Sequence, residues 1–420
     1  MKIKFYVLLA AMLLVVAGCS GGFGGGNARC AEGEFCRYYT GSQGVVATVE
    51  NPPPMLFFRS SDAGGLEGNL IELNVKVENR GASDAIGAVF IENFGPDYYV
   101  DRIIDGQRSS ITTGLQRGCS ISFGNFGFLP LFAFNCGSTS ANFYPGGGNV
   151  GFQLAPGVDV VFNWQDGKWQ FQGNIDGLLI NAMYHGAMLM QIVQNAFNFE
   201  SLGGISYYLE GDNPTYPGGG VDYKQFIVQL REWPAGRDEM RMNYNLRNCF
   251  AYTTFASPMI CIDPNPFSGD RFRTCQPDRV ISMGTQGGPI AVTSVHQRNT
   301  GSSVILDFTI RNVGNGNVWE LGSLERCSPY YPGTSLGGNF KDIVYVGYVV
   351  LENVHLDCTQ RTIRLNNGEG RFTCTYNYAN ILPDAGTVRD VGIRESALRM
   401  ELWYGYETVR SYPLTVRRLG

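Results

Sequence analysis

Residues 70–85 read LIELNVKVENRGASDA, and a related stretch, VILDFTIRNVGNGNV, recurs at residues 304–318. Both stretches alternate apolar and polar residues with a period of two, which is the pattern of a β-strand with one buried face. Each strand pattern ends in Asn-x-Gly, at positions 79–81 and 312–314, where a left-handed backbone turn is easy to form. The repeat therefore predicts two copies of a strand followed by a corner.

The closing segments of the two copies match as well. Tyr252-Thr253-Thr254 in the first corresponds to Tyr406-Glu407-Thr408 in the second. Two copies that share an opening strand and a closing strand indicate duplication of a whole β-sandwich. We therefore predict an all-β chain with two sandwich domains.

The first copy is longer because of a stretch at about residues 118–220, which we interpret as an insertion. Residues 118–158 carry no charged side chain. Asp166-Gly167, within the alternating segment 158–174, is a strong signal for a β-hairpin. Apolar residues at helical spacing over 175–199 predict one helix. Residues 177–199 approach transmembrane length, but their amides and histidine are costly in hydrocarbon, which favours packing on the sheet or on a neighbouring subunit.

Composition limits the classes of function. A chain of 420 residues that is 44% apolar is long enough for two or three cores. The formal net charge of −5 gives no reason to expect nucleic acid as a partner.

The N-terminus has the pattern of an export signal. Lys2 and Lys4 precede an apolar run that ends in Val16-Ala17-Gly18-Cys19. This run is too short to span a membrane, so we interpret residues 1–18 as a signal peptide. Small residues before a cysteine are typical of lipoproteins, which predicts a lipid on Cys19 and a tether with a lead-in over 19–44. The alternative is an ordinary cleaved signal with an incidental cysteine.

Ten further cysteines, an even number in an exported chain, predict up to five disulfides. Connectivity does not follow from sequence in general, although nearness along the chain suggests a set of pairs. These are Cys30 with Cys36, Cys119 with Cys136, Cys249 with Cys261, and Cys358 with Cys374, which leaves Cys275 and Cys327 for each other. A zinc site is disfavoured because the chain has no Cys-x-x-Cys pair.

No catalytic, cofactor or metal residue is assigned. The Gly-x-Ser-x-Gly match at 333–337 lacks the following helix that a nucleophile elbow needs, so we interpret it as a surface turn. Two acidic sets could offer oxygen ligands to calcium, but neither has EF-hand spacing. They are Asp97, Asp101 and Asp105, and Glu210, Asp212 and Asp222.

Aromatic residues in or near the insertion are candidates for an interaction surface, because Tyr and Trp can stack on sugars or proteins. The alternative is that they pack the insertion onto its own hairpin. The candidates are Trp164, Trp169, Tyr207, Tyr208 and Tyr216.

Five segments together resemble a family of archaeal exported proteins with paired immunoglobulin-like domains related to CARDB, the cell-adhesion-related domain. They are GSQGVVATVENPPP (41–54), NVKVENRGASDA (74–85), CFAYTTFASPMICIDPNP (249–266), MGTQGGPIAVTSV (283–295) and LNNGEGRFTC (365–374). The resemblance implies immunoglobulin-like sandwiches, export and a non-enzymatic surface role. The signature cysteines fall on Cys249, Cys261, Cys275, Cys327, Cys358 and Cys374. The resemblance does not extend over the insertion at about residues 118–220.

We therefore expect a first immunoglobulin-like domain at 45–264 with the insertion, a linker at 265–284 and a second domain at 285–420. The expected function is a lipid-anchored structural or adhesion protein on the extracellular face of the cytoplasmic membrane. Its expected partners are the membrane, other surface proteins or itself, with glycans as further candidates. The alternatives are a carbohydrate-binding or carbohydrate-hydrolysing protein with its site in the insertion, and a membrane-inserting oligomer.

Overall fold

The strand patterns of both repeats are present in a computed structural model of the chain. The described residues are 40–59, 70–94, 98–104, 107–110, 119–126, 129–136, 139–144, 147–155, 158–165, 168–175, 178–184, 199, 202–212, 216–230, 233, 237–268, 274–331, 339–352, 354–380 and 392–419.

The described residues are mainly β-strands, which confirms the all-β class. Two short 3₁₀ segments are Leu321–Cys327 and Tyr378–Asn380. The strands in chain order are β1 (Val45–Val49), β2 (Met55–Arg59), β3 (Leu70–Asn79), β4 (Ala85–Glu92), β5 (Tyr98–Ile104), β6 (Gln107–Ser110), β7 (Cys119–Phe126), β8 (Leu129–Cys136), β9 (Thr139–Tyr144), β10 (Gly147–Ala155), β11 (Val158–Gln165), β12 (Lys168–Ile175), β13 (Leu178–Tyr184), β14 (Ile205–Leu209), β15 (Val221–Leu230), β16 (Glu239–Ala256), β17 (Met259–Ile262), β18 (Asp278–Ser282), β19 (Ile290–Asn299), β20 (Ser303–Asn312), β21 (Asn317–Trp319), β22 (Ile343–Leu351), β23 (Val354–His355), β24 (Asp357–Cys358), β25 (Thr362–Arg364), β26 (Glu369–Asn377) and β27 (Arg394–Leu419).

The chain divides into two compact units, each built from separated stretches. The first unit contains residues 43–252, 315–343 and 404–420, and the second contains 253–314 and 344–403 with the described residues 40–42. The predicted domains were continuous stretches of sequence. Each observed unit instead combines separated stretches, and those of the two units alternate along the chain. Both β16 and β27 contribute residues to each unit.

Two of the sheets in the first unit form sandwich-like layers. One has the order β1-β3-β15-β5-β6, and its neighbouring strands are antiparallel. In the other, β14, β4, β16 and the later part of β27 are neighbours, and β2 and β21 also pair with β27. On β3, Ile71, Leu73, Val75 and Val77 are buried, as the alternation predicts. Burying one such side chain stabilises the fold by roughly 1.5–3 kcal/mol.

The second unit is layered in the same way. Its five-stranded sheet has the order β18-β19-β20-β26-β24, and β22 lies beside residues 394–403 of β27. The apolar positions of β20, Leu306, Phe308 and Ile310, are buried as predicted. The Phe308 and Phe372 rings stack with centroids 4.9 Å apart.

The corner after each opening strand depends on an asparagine side chain. The Oδ1 atom of Asn79 accepts the backbone N–H of Gly81 at 3.1 Å, and Asn312 accepts that of Gly314 at 3.2 Å. Neither glycine is among those with positive φ. The expectation of a left-handed turn was wrong at both corners, because an Asx-type hydrogen bond turns the chain instead.

A buried tyrosine hydroxyl accepts a backbone N–H four residues beyond each of these asparagines. Ser83 donates to Tyr252 at 3.1 Å, and Gly316 donates to Tyr406 at 2.8 Å. Both tyrosines belong to the closing strands that the sequence repeat identified. The repetition of this contact supports the interpretation of an internal duplication.

Residues 119–184 form a seven-stranded antiparallel sheet in the order β13-β12-β11-β10-β9-β8-β7. The predicted hairpin is confirmed, with Gln165 opposite Lys168. The helix predicted over 175–199 was wrong for its first part, because residues 178–184 are strand β13, which pairs with β12. A seven-residue apolar segment fits helix and strand patterns equally well. The remainder of that prediction, 185–198, lies outside the described residues.

The predicted insertion also extends too far at its C-terminal end. Strand β14 pairs with β4, and its residues Ile205, Tyr207 and Leu209 are buried. Phe199 is buried too, and its ring packs edge-on against Phe90 at 5.8 Å. Strand β14 and Phe199 are therefore part of the packed core of the first unit and not of a separate insertion.

The described residues contain three disulfides, and two of the five predicted pairs are corrected. Cys358–Cys374 is confirmed. Cys249 pairs with Cys327 rather than Cys261, and Cys261 pairs with Cys275. Nearness in sequence misled here because the first unit combines stretches on both sides of residues 253–314.

The remaining two predicted pairs stay predictions. Cys119 and Cys136 are direct register partners on β7 and β8, the arrangement that Cys358 and Cys374 have on β24 and β26. Cys30 and Cys36 lie outside the described residues.

We expect the Cys249–Cys327 bond to be the most stabilising of the three, since it closes a loop with a sequence separation of 78. Its removal by C249A/C327A should lower the free energy of unfolding by about 4.5 kcal/mol, and that of Cys358–Cys374 by about 3 kcal/mol. Urea denaturation of both variants measures this difference. Equal losses would show that loop closure does not set the order.

Candidate interaction surfaces

A shallow polar groove crosses the outer face of the five-stranded sheet in the second unit. Its volume is about 470 Å³. Period-two alternation places the buried side chains of β19, β20 and β26 inside and their partners on this face. The lining residues are Ser294, His296, Asp307, Phe308, Thr309, Thr359, Gln360, Arg371, Phe372 and Thr373.

Four polar side chains form an array across β19 and β20. Ser294 lies opposite Thr309, and His296 lies opposite Asp307. Directly opposed residues have Cβ atoms about 5 Å apart, and residues two apart on a strand are separated by about 7 Å. The strand register therefore places four hydrogen-bonding groups within the dimensions of a small ligand.

The Asp307 carboxylate is held in a fixed orientation. Its Oδ2 atom is 2.8 Å from Arg298 Nη2, and its Oδ1 atom accepts a hydrogen bond of 2.6 Å from Thr373 Oγ1. His296 Nε2 lies 3.2 Å from Asp278 Oδ1. These contacts organise the array before any ligand binds.

Other charges at the groove are also paired. Arg371 and Arg311 both contact Glu369. Hydrogen bonds from Arg371 and then Arg311 hold the pKa of Glu369 below its ordinary value. The groove is therefore polar without a large excess of either charge.

The seven-stranded sheet has two faces of different composition. Its register places Val160, Phe162 and Trp164 of β11 on one face with Gly173, Phe171 and Trp169 of β12. Asn163 and Gln170 are paired on the opposite face. The predicted surface residues Trp164 and Trp169 are thus direct partners on the apolar face.

The three tyrosines of the predicted surface differ in how far they are buried. Tyr207 is 1% exposed and donates to Asn248 Oδ1 at 2.5 Å, so it is a core residue. Burial raises its pKa well above the ordinary value. Tyr208 is half-buried and donates to Asp84 at 2.9 Å, whereas Tyr216 is 47% exposed.

The acidic sets considered for calcium are not gathered into a metal site in the part of the chain that is described. Asp101 is buried, and Asp97 and Asp105 lie outside that part. Asp222 is 2.6 Å from Lys224, and Asp212 accepts the backbone N–H of Gly218 at 2.8 Å. No group of three or more described His, Cys, Asp or Glu residues could hold a metal ion.

Two further predictions concern residues outside the part of the chain that the structure describes. The Gly-x-Ser-x-Gly match at 333–337 and the lipidation site Cys19 both lie outside the described residues.

Sequence reasoning did not identify the groove. Alternation along β20 places Asp307 and Thr309 on a solvated face. Polar residues are usual on the outer face of a half-buried strand, so their presence there gave no sign of a groove. Their pairing with His296 and Ser294 depends on register across β19, which includes a bulge between Val292 and Ser294. A single sequence carries no clear signal for that register.

One buried carboxyl group has a strongly perturbed environment. Glu401 is 8% exposed and accepts a hydrogen bond of 3.0 Å from Trp403 Nε1. Burial raises the pKa of Glu401, against the smaller opposing effect of hydrogen bonds from Tyr348 and Trp403. Perturbed pKa values often mark functional sites, but Glu401 is not among the residues that line the polar groove.

Glu401 should make stability fall as pH rises above the ordinary glutamate pKa of 4.5. The folded protein holds this proton more tightly than the unfolded chain, so the stabilisation is lost as pH rises through the raised pKa. E401Q should remove this dependence and stabilise the protein at pH 7, as urea titrations across pH would show.

Glu352 provides a control, because its pKa is shifted in the opposite direction from that of Glu401. Burial raises its pKa, but hydrogen bonds from Arg394 and Tyr376 outweigh that effect and leave the pKa lowered. E352Q should therefore abolish stability that is present above pH 4.5 and lost in acid. Identical pH profiles for the two variants would contradict both assignments.

Comparison with protein-family models gives no match, and comparison with curated proteins gives none. Among the described residues, no helix is long and apolar enough to cross a membrane. The resemblance to paired CARDB-like domains therefore stays a prediction.

Proposed function

We propose that this protein is a lipid-anchored, non-enzymatic structural or adhesion protein of the cell surface, built from immunoglobulin-like sandwiches. The observation that carries the proposal is the set of three disulfides within the two units. Disulfides of this kind form and persist in oxidising compartments outside the cytoplasm. The signal-like N-terminus and Cys19 agree with that location.

A rigid, cross-linked β-structure suits a role in contact rather than in chemistry. Two separate disulfides fix strands of the second unit, Cys261–Cys275 and Cys358–Cys374. Restricting the unfolded chain in this way stabilises a small core by about 3 kcal/mol for each bond. Such stability is useful at an exposed cell surface.

The seven-stranded sheet is the proposed contact surface, and a second copy of the chain is its proposed partner. Seven strands at about 4.8 Å spacing, with about eight residues each, give one face an area of about 900 Å². A standard protein interface buries about 800 Å² on each partner. The register assembles on one face apolar residues that suit a permanent contact.

The anchor gives the first test of this function. Cys19→Ser should release the protein from membranes into the soluble fraction, since the apolar run before it is removed with the signal peptide. Intact-mass spectrometry should show the lipid on the wild-type chain only. An unmodified Cys19 in membrane-extracted protein would rule out the lipoprotein assignment.

The sheet gives the second test. In the Cys19→Ser background, F162N/F171N should abolish self-association at tens of micromolar in analytical ultracentrifugation. N163S/Q170S, the matched pair on the opposite face, should leave it intact. Retention of all disulfides on non-reducing gels reports correct folding of each variant.

Two outcomes would count against the homotypic contact. A parent protein that is monomeric at these concentrations would contradict it directly. Co-sedimentation of the parent with phosphatidylcholine vesicles, lost in F162N/F171N, would support the membrane-inserting alternative instead.

A further inference from the structure

The groove on the second unit has a specific chemistry that the adhesion proposal does not use. Thr309 and Ser294 present hydroxyls on the outer face, and within the described residues neither side chain has a hydrogen-bond partner. The adjacent Asp307 is oriented by Arg298 and Thr373. Two hydroxyls that can bind a ligand therefore lie beside a carboxylate acceptor whose orientation is fixed.

We infer that this groove binds a neutral sugar, with Ser294, His296, Asp307 and Thr309 as the contacting residues. The site goes beyond the proposed adhesive role and lies outside the insertion, where a carbohydrate site was considered from the sequence. It would let the protein hold a glycan of a surface polymer through one face of one sheet.

Charge selects against ionic ligands. An anion would meet the Asp307 carboxylate, whose ion pair with Arg298 leaves its oxygens as acceptors. A cation would meet the guanidinium groups of Arg298 and Arg371, which are 49% and 77% exposed. A neutral ligand avoids both penalties.

Polarity selects against an apolar ligand. Covering the hydroxyls of Ser294 and Thr309 with hydrocarbon would leave them without water and without partners, which is unfavourable. A sugar offers several hydroxyls that both donate and accept, so it can pair with hydroxyl, carboxylate and imidazole groups together. The four-residue array provides each of these group types.

The first copy of the repeat has different residues at the positions of the polar array. Alignment of Asn312 with Asn79 places Asn74 at the position of Asp307 and Lys76 at that of Thr309. Lys76 lies 3.7 Å from Glu78, so the equivalent face carries paired charges instead of open hydroxyls.

The test uses the full-length protein and saturation-transfer NMR with the methyl glycosides of glucose, galactose and mannose. At least one should bind with a dissociation constant in the millimolar range, as expected for a single ring in an open site. Glucuronate and inorganic phosphate serve as anionic probes and should bind more weakly.

Two conservative variants locate the site. T309V and S294A remove hydroxyls that make no protein hydrogen bond, and each should weaken the bound glycoside by roughly threefold to tenfold without lowering the melting temperature. T375V is the matched control, because Thr375 is on β26 outside the groove lining. It should leave the affinity unchanged.

The inference fails if no neutral glycoside gives a saturable signal, or if phosphate or glucuronate binds more tightly than all three. It also fails if T375V weakens binding as much as T309V does. None of these results bears on self-association through the seven-stranded sheet, so the two proposals can fail separately.

Discussion

The Cys249–Cys327 disulfide is the constraint on which the first unit most depends. This bond joins β16 to the 3₁₀ segment Leu321–Cys327, across a stretch that belongs to the second unit. Without a covalent link, residues 315–343 would be positioned only by noncovalent contacts. In the chain-entropy model, closing a loop of this length contributes about 4.5 kcal/mol, a large part of the stability of an ordinary domain.

A polar cluster around Glu407 also links β16 with the segment 315–343, by noncovalent contacts. Glu407 is 2% exposed and accepts hydrogen bonds from Trp319 Nε1 at 2.9 Å and Asn317 Nδ2 at 3.1 Å. Arg247 contacts Glu407 and also lies 2.8 Å from Glu92. Breaking such a network by removing one member is costly, because a buried charge is left uncompensated. The cluster therefore fixes the arrangement of β4, β16, β21 and β27.

Some features of the fold were predictable from the sequence because they depend on local pattern. Period-two alternation identified β3 and β20, and Asp166-Gly167 identified the β11–β12 hairpin. The partners of Cys249 and Cys261 and the division into units were not predictable in the same way, since both depend on how separated stretches return to one another. The segment 178–184 was misread because only its pairing with β12 distinguishes strand from helix.

The same distinction between local and long-range features applies to the candidate surfaces. The pairing of Trp164 with Trp169 could be predicted from sequence, since a two-residue turn fixes it. Tyr207 could not be recognised as a core residue, because its burial follows from β14 pairing with β4. The groove depends on the register of three strands and on the bulge in β19.

One strand, β20, connects the fold to the proposed sugar site. Its inward residues Leu306 and Phe308 are at most 1% exposed, and they alternate with Asp307 and Thr309 on the outer face. A shift of one residue in register would exchange the two sets and expose the core. The same hydrophobic pattern that selects the register of β20 therefore also places the polar array. A groove built in this way requires no loop to close and no strained backbone, so a duplicated strand could acquire it through a few outward substitutions while the core stayed unchanged.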